Sequence, residues 1–247
     1  MSIFLNYESN SFLNTYHIMA GVKKKSSTSK KVVPKTKIDK EKIISLYMES
    51  VLRNEKAPKS VFKFCDENNF KEAEFYKHFG SFDGLQMEIW NSFYQQTIQL
   101  ANNNEAFHTY SNKEKMLTFF YTFFELLTLN RSYVLFTLKE QSSVMKSLSQ
   151  LKGLRKNIKN FASELIRENN EDKKLKALKQ SITVFSEGAW LQTFFLMKYW
   201  MDDNSAEFEN TDVAIEKSVR AIFDVFDTQP LESVLDFGKF LWKEKMA

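Results

Sequence analysis

Residues 60–85 read SVFKFCDENNFKEAEFYKHFGSFDGL. Apolar side chains recur at helical spacing in two short runs, Val61, Phe62, Phe64 and Cys65 in the first and Phe75 and Phe79 in the second. Between them stands Glu67-Asn68-Asn69-Phe70. Paired asparagines suit a tight reversal between helices without glycine, because their short amides bond to nearby backbone and tolerate left-handed conformations. The second helix therefore starts at about Lys71 and runs to His78. Upstream, Ile43, Ile44, Leu46, Tyr47, Val51 and Leu52 share one side of a first helix that ends near Asn54. Pro58 is expected to open the next, since proline suits a helix's first turn. Three helices thus fit within about forty residues.

Working outward, the 247-residue chain holds only six glycines and three prolines, and none of the prolines lies between Pro58 and Pro230. Long helices are permitted across that span. The spacing predicts them at about 83–102, 112–129, 131–150, 152–168, 173–201, 209–227 and 231–245, with polar, Asn-rich loops such as NNNEAFHTYSN between. No segment reads as a strand, and no internal repeat is present. The expected fold is all-α, with an N-terminal three-helix, helix-turn-helix domain over 39–82 and a larger helical bundle over 83–247. Residues 1–38 are Lys/Ser-rich and aperiodic towards their end, as in a flexible basic tail. The first eighteen have neither charge pattern nor clear period, which makes Met19 a candidate start of translation.

Several function classes are poorly served. The one cysteine, Cys65, excludes an internal disulfide framework and suits a reducing compartment. Three widely separated histidines, with no HExxH or Cys/His pairing, give a metal site no support. The longest apolar run, from Met116, is interrupted by Glu125 and too short to span a bilayer, and no signal pattern opens the chain. A soluble cytoplasmic protein is expected. No Gly-rich phosphate loop, nucleophile elbow or paired catalytic carboxylates point to an enzyme, and no cofactor is implied.

From Ser60 to Leu85 the sequence resembles, without a gap, the helix-turn-helix of the TetR family of bacterial transcriptional regulators. The resemblance lies in Ser60-Val61, in Phe64-Cys65 where Ile-Ala is usual, in Phe75-Tyr76-Lys77-His78-Phe79 against Leu-Tyr-x-His-Phe, and in Ser81, Asp83 and Leu85. It covers about 45 residues from Asp39, and beyond them likeness is confined to helical character. The resemblance implies a homodimer that sets its third helix in the major groove of a double-stranded DNA operator, with a ligand in the bundle altering the spacing of the two heads. By position it makes Ser60, Tyr76, Lys77 and His78 phosphate contacts, adds Lys59 beside them, and turns Lys71, Glu72 and Ala73 to the bases. Phe75 and Phe79 belong to the core.

Three positions depart from that pattern. Glu72 and Glu74 stand where small or hydroxyl residues are favoured, and Phe82 stands where a phosphate-touching lysine is common. Acids in a first turn are favoured by the helix dipole wherever the helix lies, and a glutamate can accept from cytosine. Residues 43–82 carry six basic and six acidic side chains, whereas residues 1–42 carry nine lysines against three acids. Attraction to phosphate scales with the cations brought to it, so DNA affinity should lean on the tail, Lys23, Lys24 and Lys25 foremost, with Lys30 and Lys31.

In the bundle, Phe119, Phe120, Phe123 and Phe124 make one helix apolar nearly all round, and Trp190, Phe194, Phe195 and Trp200 do the same for a later one. Such rings fill a core or line a pocket for an apolar small-molecule effector. As a pocket they would comprise Phe119, Phe123, Phe124, Trp190 and Phe194, with Glu125, Glu187 and Gln192 to orient a polar end. Gly188, inside a helix, suggests a close contact or a kink. Ile215, Val219, Ile222, Phe223 and Phe226 recur at helical spacing, so the helices near 173–201 and 209–227 are the expected dimer seam. The final segment has an aromatic stripe bordered by Lys239, Lys243 and Lys245, fit to dock on the bundle or lie on a membrane. The preferred reading is a ligand-responsive, DNA-binding regulator, a repressor. The alternative is a TetR-fold lipid- or isoprenoid-binding accessory protein that has left DNA and uses this last helix at a membrane surface.

Overall fold

The computed structural model describes residues 38–139, 149–171 and 180–227. Every regular element among them is helical: α1 (Lys40–Asn54), α2 (Val61–Glu67), α3 (Glu72–Tyr76), α4 (Phe82–Asn102), α5 (Asn112–Leu129), α6 (Arg131–Lys139), α7 (Lys152–Glu171), α8 (Ile182–Asp202) and α9 (Glu209–Asp227), with short 3-10 turns at Glu105–Thr109 and Ala206–Phe208. The fold is all-α, as expected. The basic tail up to residue 37, the end of the helix expected over 131–150 and the helix expected at 231–245 lie outside the described residues. Among the described residues no helix is long and apolar enough to cross a membrane.

Two compact units divide the chain. One takes in residues up to Ile89 together with Leu127–Gln150, and the other Trp90–Leu126 with the residues after Gln150. Helices α4 and α5 each contribute to both.

The first unit is built round Phe64, which is wholly buried and meets the rings of Tyr47, Phe70, Phe75 and Phe82 at centroid distances of 6.0, 5.7, 6.3 and 5.7 Å, mostly edge to face. Such edge-on packing suits the ring quadrupole. Phe82 is thus a wall of this core, and its place among these rings explains an aromatic where a lysine was the family pattern. Phe62, by contrast, was read as apolar-face and is 65% exposed. Helix α1 opens on Asp39, whose carboxylate accepts from Lys42 N–H at 2.9 Å, and closes on Glu55 in the left-handed region. Helix α6 lies on α1 and buries Tyr133 and Val134.

The second unit centres on α5. Ser111 and Glu114 form a reciprocal cap at its start, Ser111 N–H donating to Glu114 and Glu114 N–H to Ser111 Oγ at 2.8 and 3.3 Å. Phe119 then stacks on Phe123 and on Phe161 of α7 at 5.7 and 5.0 Å, and Phe124 tilts against Trp200 of α8. Helix α8 packs on α7 and α9. It begins at Ile182 rather than near 173, because Ser181 caps it by accepting from Val184 N–H. Among the described residues a Cβ added at Gly188 would meet nothing within 4 Å, so none of them makes the close contact expected there, and the helix runs unbroken through it. The apolar stripe of α9 turns inward: Ile215, Val219 and Phe223 are buried, Phe223 against Phe185 of α8 at 5.5 Å.

Candidate nucleic-acid interface

The pose of the helix-turn-helix is set by local chemistry. Ser60 is extended, with φ −146° and ψ 150°, and its Oγ accepts from Lys63 N–H at 3.3 Å. That cap starts α2 at Val61, leaving Pro58 outside the helix it was expected to open. At the other end Asn68 Nδ2 donates to Phe64 O at 2.7 Å, and Asn69 takes the left-handed conformation with φ 58°. Phe70 N–H then returns to Cys65 O at 3.0 Å, completing the reversal without glycine.

Helix α3 is shorter than the Lys71–His78 span read from the sequence. Lys71 is its N-cap and makes no side-chain cap bond, so Glu72 and Glu74 supply the negative charge favoured in a first turn. Phe75 is fully buried and anchors the helix. Beyond it the chain turns outward: Tyr76 is 54% exposed with its ring edge-on to Phe75 at 5.5 Å, and Lys77 and His78 are also exposed. Lys59, Ser60, Lys71 and Ala73 are exposed too, while Glu72 and Glu74 are half-buried. Lys23, Lys24 and Lys25 lie outside the described residues.

Electrostatically the head is close to balanced. Lys77 Nζ lies 2.8 Å from Glu74 Oε1. That hydrogen bond, reinforced by the charges of Lys77, His78 and Lys71 and opposed by slight desolvation, holds the Glu74 carboxyl below its usual range. Burial, with the charge of Glu72, pushes the Cys65 thiol up to about 11, so the cysteine is a core residue and not a nucleophile at neutral pH.

Among the described residues the eight expected to bind a ligand are not gathered around one cavity. Phe119, Phe123 and Phe124 are buried in one another's company and in that of Phe161 and Trp200, so the rings fill the space they were expected to line. Gln192 is buried and donates to Ser218 Oγ of α9 at 2.9 Å. Glu187 pairs with Arg155, at 2.9 Å, and with Lys159 of α7. Trp190 is half-buried, Phe194 is exposed, and Glu125 lies at the surface of α5 with its carboxyl raised by burial and by the charge of Asp212. A shallow cavity of about 390 Å³ opens instead at the end of α8, lined by Phe195, Lys198, Tyr199, Asp202, Asp203, Asn204 and Asn210. No sequence signal marked it, because it depends on how the chain turns at Asp203. Among the described residues no three His, Cys, Asp or Glu side chains stand where they could share a metal ion.

A family model described as tetracyclin repressor-like, C-terminal domain, matches residues 115–241, slightly more than half of the chain. The chain belongs to the TetR family. TetR-family proteins are regulators rather than enzymes, which fits a fold whose exposed functional candidates sit at the end of a helix-turn-helix. The TetR match begins within α5 and extends past α9, and it leaves out the helix-turn-helix. Comparison with curated proteins and with solved structures gave no match.

Proposed function

We propose that this TetR-family protein is a ligand-responsive, DNA-binding transcriptional regulator of the cytoplasm, a repressor that acts as a homodimer. The observation that carries the reading is the outward projection of Tyr76, Lys77 and His78 beyond the buried anchor Phe75. An uncharged core residue fixes the helix, and the aromatic, cationic and imidazole groups after it face outward, where a phosphate backbone could lie. Ser60, exposed at the start of α2, adds a hydroxyl with an unused proton. Lys71 and Ala73 are accessible for base edges, with the half-buried Glu72 between them.

Dimerisation would use α8, whose outer side exposes Leu191, Phe194, Phe195 and Tyr199, together with Val213 and Val225 of α9. Exposed apolar stripes of this kind mark association surfaces. The effector would be an apolar small molecule taken up by the helical bundle, where the rings of Phe119, Phe123, Phe124 and Trp190 would have to part to admit it.

The deciding experiment is retardation of a duplex carrying the DNA upstream of the protein's own gene. Binding should weaken steeply with salt and fall when Lys23, Lys24, Lys25, Lys30 and Lys31 are neutralised. Absence of retardation at near-physiological salt, with flotation on liposomes in its place, would favour the accessory-protein reading and end this one.

A further inference from the structure

The cavity at the end of α8 leaves room that the packed rings of the bundle do not. At about 390 Å³ it is large enough for a small organic molecule. Phe195 and Tyr199, one helical turn apart, line it with tilted rings whose centroids are 6.2 Å apart, and both are largely uncovered, at 54% and 40%. The turn after α8 supplies Asp203 and Asn204, and the start of α9 supplies Asn210. That turn is held in one shape. Asp203 is buried and accepts from the N–H and the hydroxyl of both Ser205 and Thr211, and Glu207 and Phe208 take left-handed conformations, with φ 52° and 62°, that side chains of their kind rarely adopt. Strain of this sort persists where the surroundings over-determine it, and a wall fixed in advance costs less to order when a ligand arrives.

The charge around the cavity is negative. Asp202 and Asp203 stand at the C-terminal end of α8, where the helix dipole already places negative charge, and the final turn of the helix carries no basic residue. Although burial pushes the Asp203 carboxyl up, its four bonds hold it at about 2, so it is ionised at neutral pH. The field extends to the start of α9, where burial, and then the charges of Asp203 and Glu209, raise the Asp212 carboxyl. Lys198 is the one cation among the lining residues, and it is bonded to Asp202 in a pair exposed at 67% and 57%, a weak attachment for a competing cation to displace.

We infer that this cavity binds an organic cation, an ammonium or guanidinium carried on an aromatic body. The body lies against Phe195 and Tyr199, whose ring faces attract the cation. The charged end takes the place of Lys198 at Asp202, and the side-chain oxygens of Asn204 and Asn210 accept its remaining N–H groups. The site uses none of the eight residues expected to bind the effector. Phe195 and Tyr199 also belong to the side of α8 proposed for self-association, so a ligand here would border a partner copy.

Three probes that share a phenyl ring test the charge and the place together: phenethylammonium, phenethyl alcohol and phenylpropionate, each titrated into the full-length protein. No DNA is present, so failure here and failure of the regulator reading are separate results. The side-chain amide NMR signals of Asn204 and Asn210 should shift with the ammonium at about ten-fold lower concentration than with the alcohol, and should not respond to the carboxylate. Asp202→Asn and Tyr199→Leu, both at exposed positions, should each weaken the ammonium by about five-fold, and the same spectra show that each variant is folded. Asp202→Asn also releases Lys198, so phenylpropionate should begin to bind to that variant. Amides that respond to none of the probes, an equal response to ammonium and alcohol, a preference of the wild type for the carboxylate, or full affinity in both variants would overturn the inference.

Discussion

Lys77 Nζ lies 2.8 Å from Oε1 of Glu74, three residues earlier in the chain. A cation proposed for a phosphate is therefore already matched by a carboxylate, and the pair is exposed enough, at 62% and 36% of the two side chains, for a phosphate to compete. Glu74→Gln should free Lys77 for the backbone. Duplex affinity at low salt is expected to rise by about three- to ten-fold, and the slope of log affinity against log salt to steepen by about one. Salt-titrated retardation checks both, and a flat response would remove Lys77 from the interface.

The turn into α9 hangs on Asp203, whose carboxylate accepts from both the N–H and the hydroxyl of Thr211 at 2.9 and 2.6 Å, and from the N–H and hydroxyl of Ser205 at 2.9 and 2.7 Å. Burial on its own would raise this carboxyl, but the four donors outweigh it and hold it at about 2. An unfolded aspartate titrates near 4, roughly two units higher. The lowered folded value means the contribution is fully present above about pH 4 and is lost as the pH falls from there towards 2. Asp203→Ala should cost about 1–3 kcal/mol at pH 7 by orphaning the Thr211 donors, and the gap to wild type should close between pH 4 and 2. Denaturant unfolding across that range measures it.

A Cβ at Gly153 would fall 2.4 Å from Oδ1 of Asn91, the amide that also receives Asn157 Nδ2 at 3.3 Å. Gly153→Ala gains helix propensity but drives into that amide, and the overlap should win, for a net loss of about 1 kcal/mol. The neighbour is a side chain and can be removed. Gly153→Ala combined with Asn91→Ala should recover most of the loss, so a thermal melt of the single and double variants separates steric overlap from an effect on the helix itself.

Much of this architecture could be read from spacing alone. Helices α5 and α9 begin and end where apolar periodicity gives way to polar loops, and the asparagine reversal between α2 and α3 needs no long-range information. What failed depends on tertiary geometry or on one hydroxyl. Ser60 and Ser181 set helix starts that composition placed earlier, and Phe62 faces outward because a seven-residue helix gives the period too little length to orient. The candidate ligand residues show what spacing alone leaves open. Rings at helical spacing state that Phe119, Phe123 and Phe124 face inward, but whether they enclose a space or fill it is decided by Phe161 and Trp200 from helices distant in sequence.

The outer side of α8 yields the last prediction. Leu191 is 68% exposed, and Phe195 and Tyr199 follow at four-residue steps, while the apolar stripe of α9 is already covered by its own chain. Its outward side carries Asp212, Glu216, Lys217 and Arg220. A homodimer seam should therefore centre on α8, and Leu191→Asp should dissociate the dimer in sedimentation velocity at micromolar concentration, since a desolvated, unpaired carboxylate is costly at such a surface. Gly188 lies on the same side, three residues before Leu191, with no atom of the described residues within 4 Å of where a side chain would begin. In a free protomer Gly188→Ala should add about 1 kcal/mol of stability through helix propensity alone. If a partner helix crosses there, the added methyl holds the backbones apart and self-association weakens even as the protomer gains. Opposite signs in the two measurements would place the crossing at Gly188, whereas a gain in both would move the seam elsewhere on α8.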